Sequence, residues 1–454
     1  MPLNTVTVRY GKLRGVQKIG YSVFRGVPYA RPPVGALRWK KPEPPESWQG
    51  IREAKTFASR PIEEGSPPGS FYHKEFFADE DFLPPTSEDC LYLNIWTPAE
   101  NTEAALPTAF WIHGGAFING FASEMEFDGA AFARQGVILV TVGHRLGALG
   151  YLSHPWLSEE GGGASGNYGL YDLAAALDWV RENISSFGGD PEKITVFGQS
   201  AGAVSVQALV SSPLTRGKIS GAIIQSGGGY RAGIGRSRPL RESEDVGLGF
   251  AEKCGAKSLE EWRRMDSAKI LSLQMALFND MMSRPPDKGG GLPFGPCIDG
   301  KLLEDDADLL LEKGAHHPIS YMIGCCANDI GMSSHAAAGE KPPLYNAAVN
   351  FSLLNEKLDR DPAYVYYFTH RLLGDDAGAF HSAELWYIFG TLDRSWRPKI
   401  QGDYDFSERM VSYWCNFVKH KNPNGQTGKD AGANRFPYWE TCTNKRPFVM
   451  ELKA

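Results

Sequence analysis

Ser200 sits in the run ITVFGQSAG, residues 194 to 202, with Gly198 two positions before it and Gly202 two positions after. A β-branched and aromatic stretch leads in and a helical pattern follows at once, so the chain must pass from strand to helix with almost no loop. Glycines at those two positions remove Cβ atoms where backbones crowd. The serine is left at the apex of the turn, its hydroxyl exposed beside a helix N-terminus. A serine so held suits nucleophilic attack on a carbonyl, provided a base, an acid and donors for an oxyanion are within reach. Without them the same residue is an ordinary helix cap.

In a G-x-S-x-G turn of this kind the acid and the histidine follow the serine in that order. The histidines beyond Ser200 are His316, His317, His335, His370, His381 and His420. The strand-like run ISYMIG, residues 319 to 324, leads into CCANDIG, where Asp329 is the one carboxylate. Asp329 is the candidate acid; an Asx-turn or a helix cap is the competing role. The next strand-like run, YVYYFTH, ends at His370, and the loop beyond it carries His381. His381 is the candidate base because it lies in the loop past its strand, at the face of the sheet where Asp329 follows its own strand. His370 is its rival, and Asp375 and Asp376 are the neighbouring acids. For the oxyanion, the run TAFWIHGGAF ends a strand at His113 and follows it with Gly114, Gly115 and Ala116, whose backbone N–H groups are free to face a cavity.

These residues need a scaffold that brings strand ends together. Short apolar runs at 91–96, 107–113, 137–142, 194–198 and 222–226 alternate with helical patterns, among them one from Tyr171 to about Ile184. That alternation predicts a mostly parallel sheet covered by helices on both faces. The first 40 residues read as short strands, and a Pro-rich passage from Pro42 to Pro85 reads as an ordered loop. Residues 241 to 280 read as successive amphipathic helices, so a helical insertion over roughly 230–316 is expected within one domain spanning 1–454. Two further helices are expected to start near His381 and Asp405, and FVMEL closes the chain as a strand.

The chain has 454 residues, 42% apolar and 22% charged, and a net charge of −6, which argues against a nucleic-acid partner. No stretch reads as a membrane span. The start, MPLNTVTVRYGKLRG, lacks an apolar core of leader type. The seven cysteines are scattered and form no metal-binding spacing, and Cys325 and Cys326 are expected as reduced, buried neighbours at a strand end. A cytoplasmic location is therefore expected.

The chain resembles the type-B carboxylesterase and cholinesterase family of α/β-hydrolases. The resemblance is carried by FRGVPYARPPVGALRWKKP, SEDCLYLNIW, WIHGGAFING, the run from Gly166 to Gly202, GCCANDIG, GAFHSAELWYIFG and MVSYWCNFVKHKNPNG, spread in order from residue 24 to 425. It implies an α/β-hydrolase fold and hydrolysis of small-molecule esters. It also implies Ser200 as nucleophile, Asp329 as acid, His381 as base, and the N–H groups of Gly115, Ala116 and Ala201 as oxyanion donors. No metal or organic cofactor is implied, and a monomer or dimer is expected. Departures from the family pattern are informative. Asp329 stands where the family usually has Glu, Ala116 replaces a third glycine, and Gln199 replaces a frequent Glu. Cys90 matches a cysteine often bridged to one upstream, and this chain has none upstream. Residues 61 to 89 hold no Trp of the kind that receives a quaternary amine, which argues against choline esters. Gln199, Phe117, Phe294, Trp386 and Phe389 are candidate pocket residues.

The competing readings are a non-catalytic, esterase-like binding or adhesion protein, and an amide or lactam hydrolase using the same triad. The Gly114-Gly115-Ala116-Phe117 loop and the shortened chain predict room for bulky alcohols. Tertiary-alcohol acetates are expected to be hydrolysed measurably, more slowly than primary ones. A rate on tert-butyl acetate at buffer background, with normal turnover of ethyl acetate, contradicts that reading.

Overall fold

The fold was obtained as a computed structural model describing residues 1–233, 237–285, 288–331, 340–426 and 436–454; His335 lies outside the described residues. Its centre is a ten-stranded mixed sheet. In chain order the strands are β1 (Val16–Lys18), β2 (Tyr21–Pro28), β3 (Tyr92–Thr97), β4 (Leu106–Ile112) and β5 (Ile138–Val142). They continue with β6 (Gly189–Gln199), β7 (Gly221–Gln225), β8 (Ser320–Cys326), β9 (Tyr364–Phe368) and β10 (Met450–Leu452). The spatial order is β10-β9-β8-β7-β6-β4-β5-β3-β2-β1. Neighbours from β10 to β5 are parallel, and the pairs β5–β3, β3–β2 and β2–β1 are antiparallel.

The sheet is apolar on both faces because alternate residues of its strands feed two cores. Phe110 and Ile112 of β4, Ile194 and Val196 of β6, and Ala222 and Ile224 of β7 enter one. Ala109, Trp111, Phe197 and Ile223 enter the other. That is the two-residue period of a strand, and burial on both faces accounts for the near-continuous apolar runs of the sequence. Helices α1 (Tyr168–Asn183) and α2 (Ala201–Ser211) cover the first face with residues such as Leu173, Leu177, Val206 and Leu209. The long C-terminal helix, Gln401–His420, covers the second with Phe406, Met410, Trp414 and Phe417.

The sequence placed some boundaries a few residues away. α1 begins at Tyr168 because Asn167 adopts a left-handed conformation and spends its side chain on the Cys297 backbone, at 2.9 and 2.7 Å. The C-terminal helix begins at Gln401, where Asp403 accepts from the Ile400 N–H at 2.9 Å. Near His381 there is only a four-residue helix, Leu385–Ile388, ending before Gly390 at φ 64°. The stretch 230–316 carries α3 (Leu240–Cys254), α4 (Ser267–Met282) and shorter helices at Leu259–Arg263 and Ala307–Glu312. It is not wholly helical. Arg238–Pro239 pairs in parallel with Cys297–Ile298, a contact too short to leave a periodic signal. All seven cysteines are buried and unbridged, with Cys325 and Cys326 closing β8.

One buried ion pair supports the loop that follows β4. Arg145 meets Asp172 of α1 through Nε and Nη2, at 2.8 and 2.7 Å, and its backbone N–H adds a third bond at 3.0 Å. The segment so pinned donates the Gly147 N–H to the Phe117 carbonyl at 2.6 Å and the Ala148 N–H to Gln274 of α4 at 2.7 Å. Removing one member of such a pair strands the other charge in the interior, at a cost of about 3–5 kcal/mol. Asp172→Ala is expected to lose stability on that scale in denaturant unfolding; a loss under about 1 kcal/mol would show that the pair is dispensable.

Candidate active site

The turn after β6 is as tight as the glycines require. Ser200 lies at φ 57° and ψ −124°, a conformation that side-chain-bearing residues rarely adopt. Its N–H is tied to the Gln225 carbonyl at 2.8 Å, and its carbonyl accepts from Val204 of α2 at 3.1 Å. A Cβ on Gly202 would stand 2.1 Å from the Ile112 carbonyl oxygen, and one on Gly198 would stand 2.6 Å from the Gly202 carbonyl carbon. Strain of about 1–3 kcal/mol at such a residue persists only where the surroundings hold it. The observation matches the reading of the serine as an apex residue rather than a regular cap.

The loop after β4 lies directly against this serine. A Cβ on Gly114 would come within 3.1 Å of Ser200 Cβ and 2.9 Å of Gln199 Oε1. Gly115, Ala116 and Phe117 follow at φ 107°, 53° and 62°, and the turn is closed by Ile118 and Asn119 donating to the Gly115 carbonyl at 3.0 and 2.9 Å. Among the described residues, no acceptor bonds the N–H groups of Gly115, Ala116 or Ala201. His113 anchors the loop: its Nδ1 donates to the Gly114 carbonyl at 2.9 Å and its ring stacks on His144 at 4.5 Å. Burial pushes the His113 imidazole down to about 4, so it stays neutral.

Asp329 and His381 meet across the ends of β8 and β9. Parallel pairing resumes beyond the strands as a bridge between Asn328 and Phe380, the residues just before the acid and the histidine. The Asn328 N–H donates to the Ala379 carbonyl at 2.9 Å, and its side-chain oxygen accepts from the Ala379 N–H at 3.0 Å. His381 Nδ1 then donates to Asp329 Oδ1 at 2.5 Å. The carboxylate also accepts from the Cys326 and Ile330 N–H groups, each at 2.8 Å. Burial alone would lower the His381 imidazole; the Asp329 carboxylate, helped by Glu384, overrides it and raises the group above the ordinary histidine range.

Gln199 occupies the other side of the ring. Its Nε2 lies 3.1 Å from His381 Nε2 and 3.5 Å from Nδ1, so the amide rests against the ring, off the in-plane axis of the Nε2 lone pair. Ser200 Oγ makes no hydrogen bond among the described residues. Behind the pair stands fully buried Glu384, which sequence reasoning missed. It accepts from the Cys326 thiol at 2.9 Å and from Gln225 Nε2 at 3.3 Å, and the Trp414 indole donates to Gln225 at 3.0 Å. Burial raises the Glu384 carboxyl. Asn328 was missed too; its only signal was adjacency to Asp329.

Two of the rival residues are committed elsewhere, and Asp376 is exposed. His370 pairs with Asp403 at 2.8 Å and accepts from the Ala454 N–H at 3.3 Å. Asp375 holds Arg397 at 2.8 and 2.9 Å. Two candidate pocket aromatics need correcting. Trp386 and Phe389 are 0% and 1% exposed: Trp386 packs on Phe76, and Phe389 packs on Trp111, Phe127 and Phe132, so both are core. Phe117 and Phe294 instead line a cavity of about 260 Å³ beyond the Gly115–Ala116 turn. A second cavity, about 480 Å³, follows α2 from Val204 past Gly227.

A family model described as the carboxylesterase family matches residues 2–342 and 341–454. The chain belongs to the carboxylesterase family. It is a carboxylic ester hydrolase with the α/β-hydrolase fold, and its substrates are small-molecule esters. The esterase is 33% identical to the para-nitrobenzyl esterase of Bacillus subtilis (strain 168) over 92% of this chain and 90% of that one. It is 40% identical to the fumonisin B1 esterase of Sphingopyxis macrogoltabida over 70% of this chain, a match spanning about half, 55%, of that protein. A solved thermophilic PNB esterase superposes with a TM-score of 0.84 at 28% identity, covering 99% of this chain and 96% of that one. Among the described residues no helix is long and apolar enough to cross a membrane.

The raised His381 group has a measurable sign. Its charged form is favoured in the folded state, so its contribution to stability is full below the unfolded histidine range and is lost as pH rises through its folded value. In histidine-labelled protein followed by NMR, His381 is expected to titrate above 6.5, and Asp329→Asn to bring it down. Titration of wild-type His381 at or below 6.5 would contradict the electrostatics of the pair.

Proposed function

We propose that Ser200, His381 and Asp329 form the hydrolytic triad of this esterase, with Gly115, Ala116 and Ala201 as the oxyanion donors. The observation that carries the reading is the Asp329–His381 hydrogen bond, held by the Asn328–Phe380 bridge at the same edge of the sheet as the strained Ser200 turn. His381 Nε2 takes the hydroxyl proton as Ser200 attacks the ester carbonyl. The three N–H groups receive the oxyanion, and the protonated imidazole, stabilised by Asp329, passes its proton to the leaving alcohol. Water then repeats the sequence on the acyl-enzyme to release the acid. The Ser200 hydroxyl and Nε2 come together as substrate binds; hydrogen bonds of resting sites commonly tighten only then.

Two broader proposals accompany this one. The chain is a single domain, because Phe250, Trp262 and Phe294 of the insertion share a core with Ile112 and Ile194 of the sheet. It works in the cytoplasm, a placement supported by seven buried, unbridged thiols.

The test is substitution with steady-state kinetics and an organophosphate probe. Ser200→Ala is expected to abolish both turnover and labelling. His381→Ala is expected to be nearly inactive, whereas His370→Ala loses mainly stability. Asp329→Asn is expected to lower turnover by roughly 10⁴, the scale seen when a triad acid loses its charge. Wild-type turnover by folded Ser200→Ala, or the loss of activity moving to His370→Ala, would overturn the assignment.

A further inference from the structure

The cavity beyond the oxyanion turn is walled by apolar groups, chiefly Phe117, Tyr151, Val246, Leu292 and Phe294, yet Arg238 also lines it. This guanidinium is fixed at its base. The Arg238 N–H donates to the Pro296 carbonyl at 3.3 Å, its backbone pairs with Cys297, and Nη1 donates to the Pro293 carbonyl at 3.2 Å. Half-buried Arg25 and Arg360 form no ion pair among the described residues, but the more deeply buried arginines meet carboxylates: Arg38 pairs with Glu88, Arg145 with Asp172, and Arg397 with Glu75 and Asp375. Among the described residues Arg238 has no such partner. Glu242, the one carboxylate whose charge it feels, is exposed and forms no ion pair with it. A guanidinium carries five N–H donors, and here a single one is engaged by the protein.

A half-buried cation without an ion-pair partner, in a largely apolar cavity whose wall includes Phe117 of the loop after β4, is a recognition feature. Phe117 directly follows Ala116, so the wall of this cavity begins one residue from the proposed oxyanion donors. The complement of a planar fork of donors is a planar two-oxygen anion. One cation matches one charge, which favours a carboxylate over a phosphate monoester, whose second charge would be left in apolar surroundings.

We propose that Arg238 binds a free carboxylate on the substrate, so that the esterase is selective for esters carrying one: half-esters of dicarboxylic acids, or esters of hydroxy acids. This rests on the Ser200 reading for its geometry. The two sources differ in which side of the ester bears the anion, acyl or alcohol.

The test compares kcat/KM for mono-p-nitrophenyl glutarate against p-nitrophenyl butyrate, and for 4-acetoxybenzoate against 4-methylphenyl acetate. Wild-type, Arg238→Gln and Arg238→Lys proteins are used. Arg238→Gln is expected to lower the charged-to-neutral ratio about 10- to 100-fold in one of the two pairs, mainly through KM, which is the scale of one hydrogen bond to a charged group. Arg238→Lys is expected to recover part of it. The pair that responds identifies the side. In unmodified protein, glutarate is expected to inhibit competitively, and its inhibition to weaken with added salt. By calorimetry glutarate is expected to bind Ser200→Ala protein and to fail to bind the Arg238→Gln double variant. An unchanged ratio in both pairs, or no inhibition by glutarate in a protein active on neutral esters, overturns the proposal and leaves the triad standing. Glutarate binding that depends on Arg238 in a protein whose Ser200→Ala variant keeps its turnover overturns the triad and leaves the carboxylate site standing.

Discussion

Asp329 and His381, the proposed acid and base, come from loops that are far apart in sequence, and each loop alone has many conformations. What removes that freedom is one residue of extra parallel pairing. The ladder between β8 and β9 lapses at the strand ends and resumes at Asn328 and Phe380. Asn328 closes it twice over, by its backbone and by its side chain, on the same residue, Ala379. With that register set, the next residue along each loop is Asp329 on one side and His381 on the other. Their hydrogen bond therefore follows from sheet geometry, and the raised His381 group follows from the bond. Were the pairing to slip by one residue, each side chain would swing to the opposite face, and no rotamer change would restore the contact.

The serine is placed by the opposite means. Among the described residues nothing pairs its side chain; the backbone is forced into an unfavourable conformation and packed so that it cannot relax. Gly198, Gly202 and Gly114 allow the approach of β4, the turn and α2, and the Gln225 carbonyl holds the Ser200 N–H. The site thus joins a strained serine turn to an Asp329–His381 pair held by regular hydrogen bonding. Beneath them the Arg145–Asp172 pair steadies the wall against which the Phe117 carbonyl rests.

Much of this was legible in the sequence. Glycines flanking a serine after a β-branched run have few other uses, and an acid and a histidine just past successive strands follow from how parallel sheets gather their loops at one end. Position in the loop ranked His381 over His370, and in the structure His370 is paired with Asp403. What escaped was whatever depends on three-dimensional neighbours. Trp386 and Phe389 look the same in sequence whether they line a pocket or fill a core, and they fill the core. Glu384 is an ordinary glutamate until burial places it against Cys326 and Gln225. The two-residue strand pair of the insertion has no pattern to read, and Asn167 shows its role only through Cys297, which is distant in sequence.

Gln199 lies against the imidazole with its amide nitrogen close to both ring nitrogens, 3.1 Å from Nε2 and 3.5 Å from Nδ1. An atom so placed is beside the ring and leaves the in-plane lone pair of Nε2 open. Glutamine is neutral and carries N–H donors; an ionised glutamate at the same place has only oxygens and would draw positive charge onto the imidazole. The exchange of one heteroatom thus takes a carboxylate's pull off the ring and leaves the raised His381 group to Asp329 and Glu384 alone.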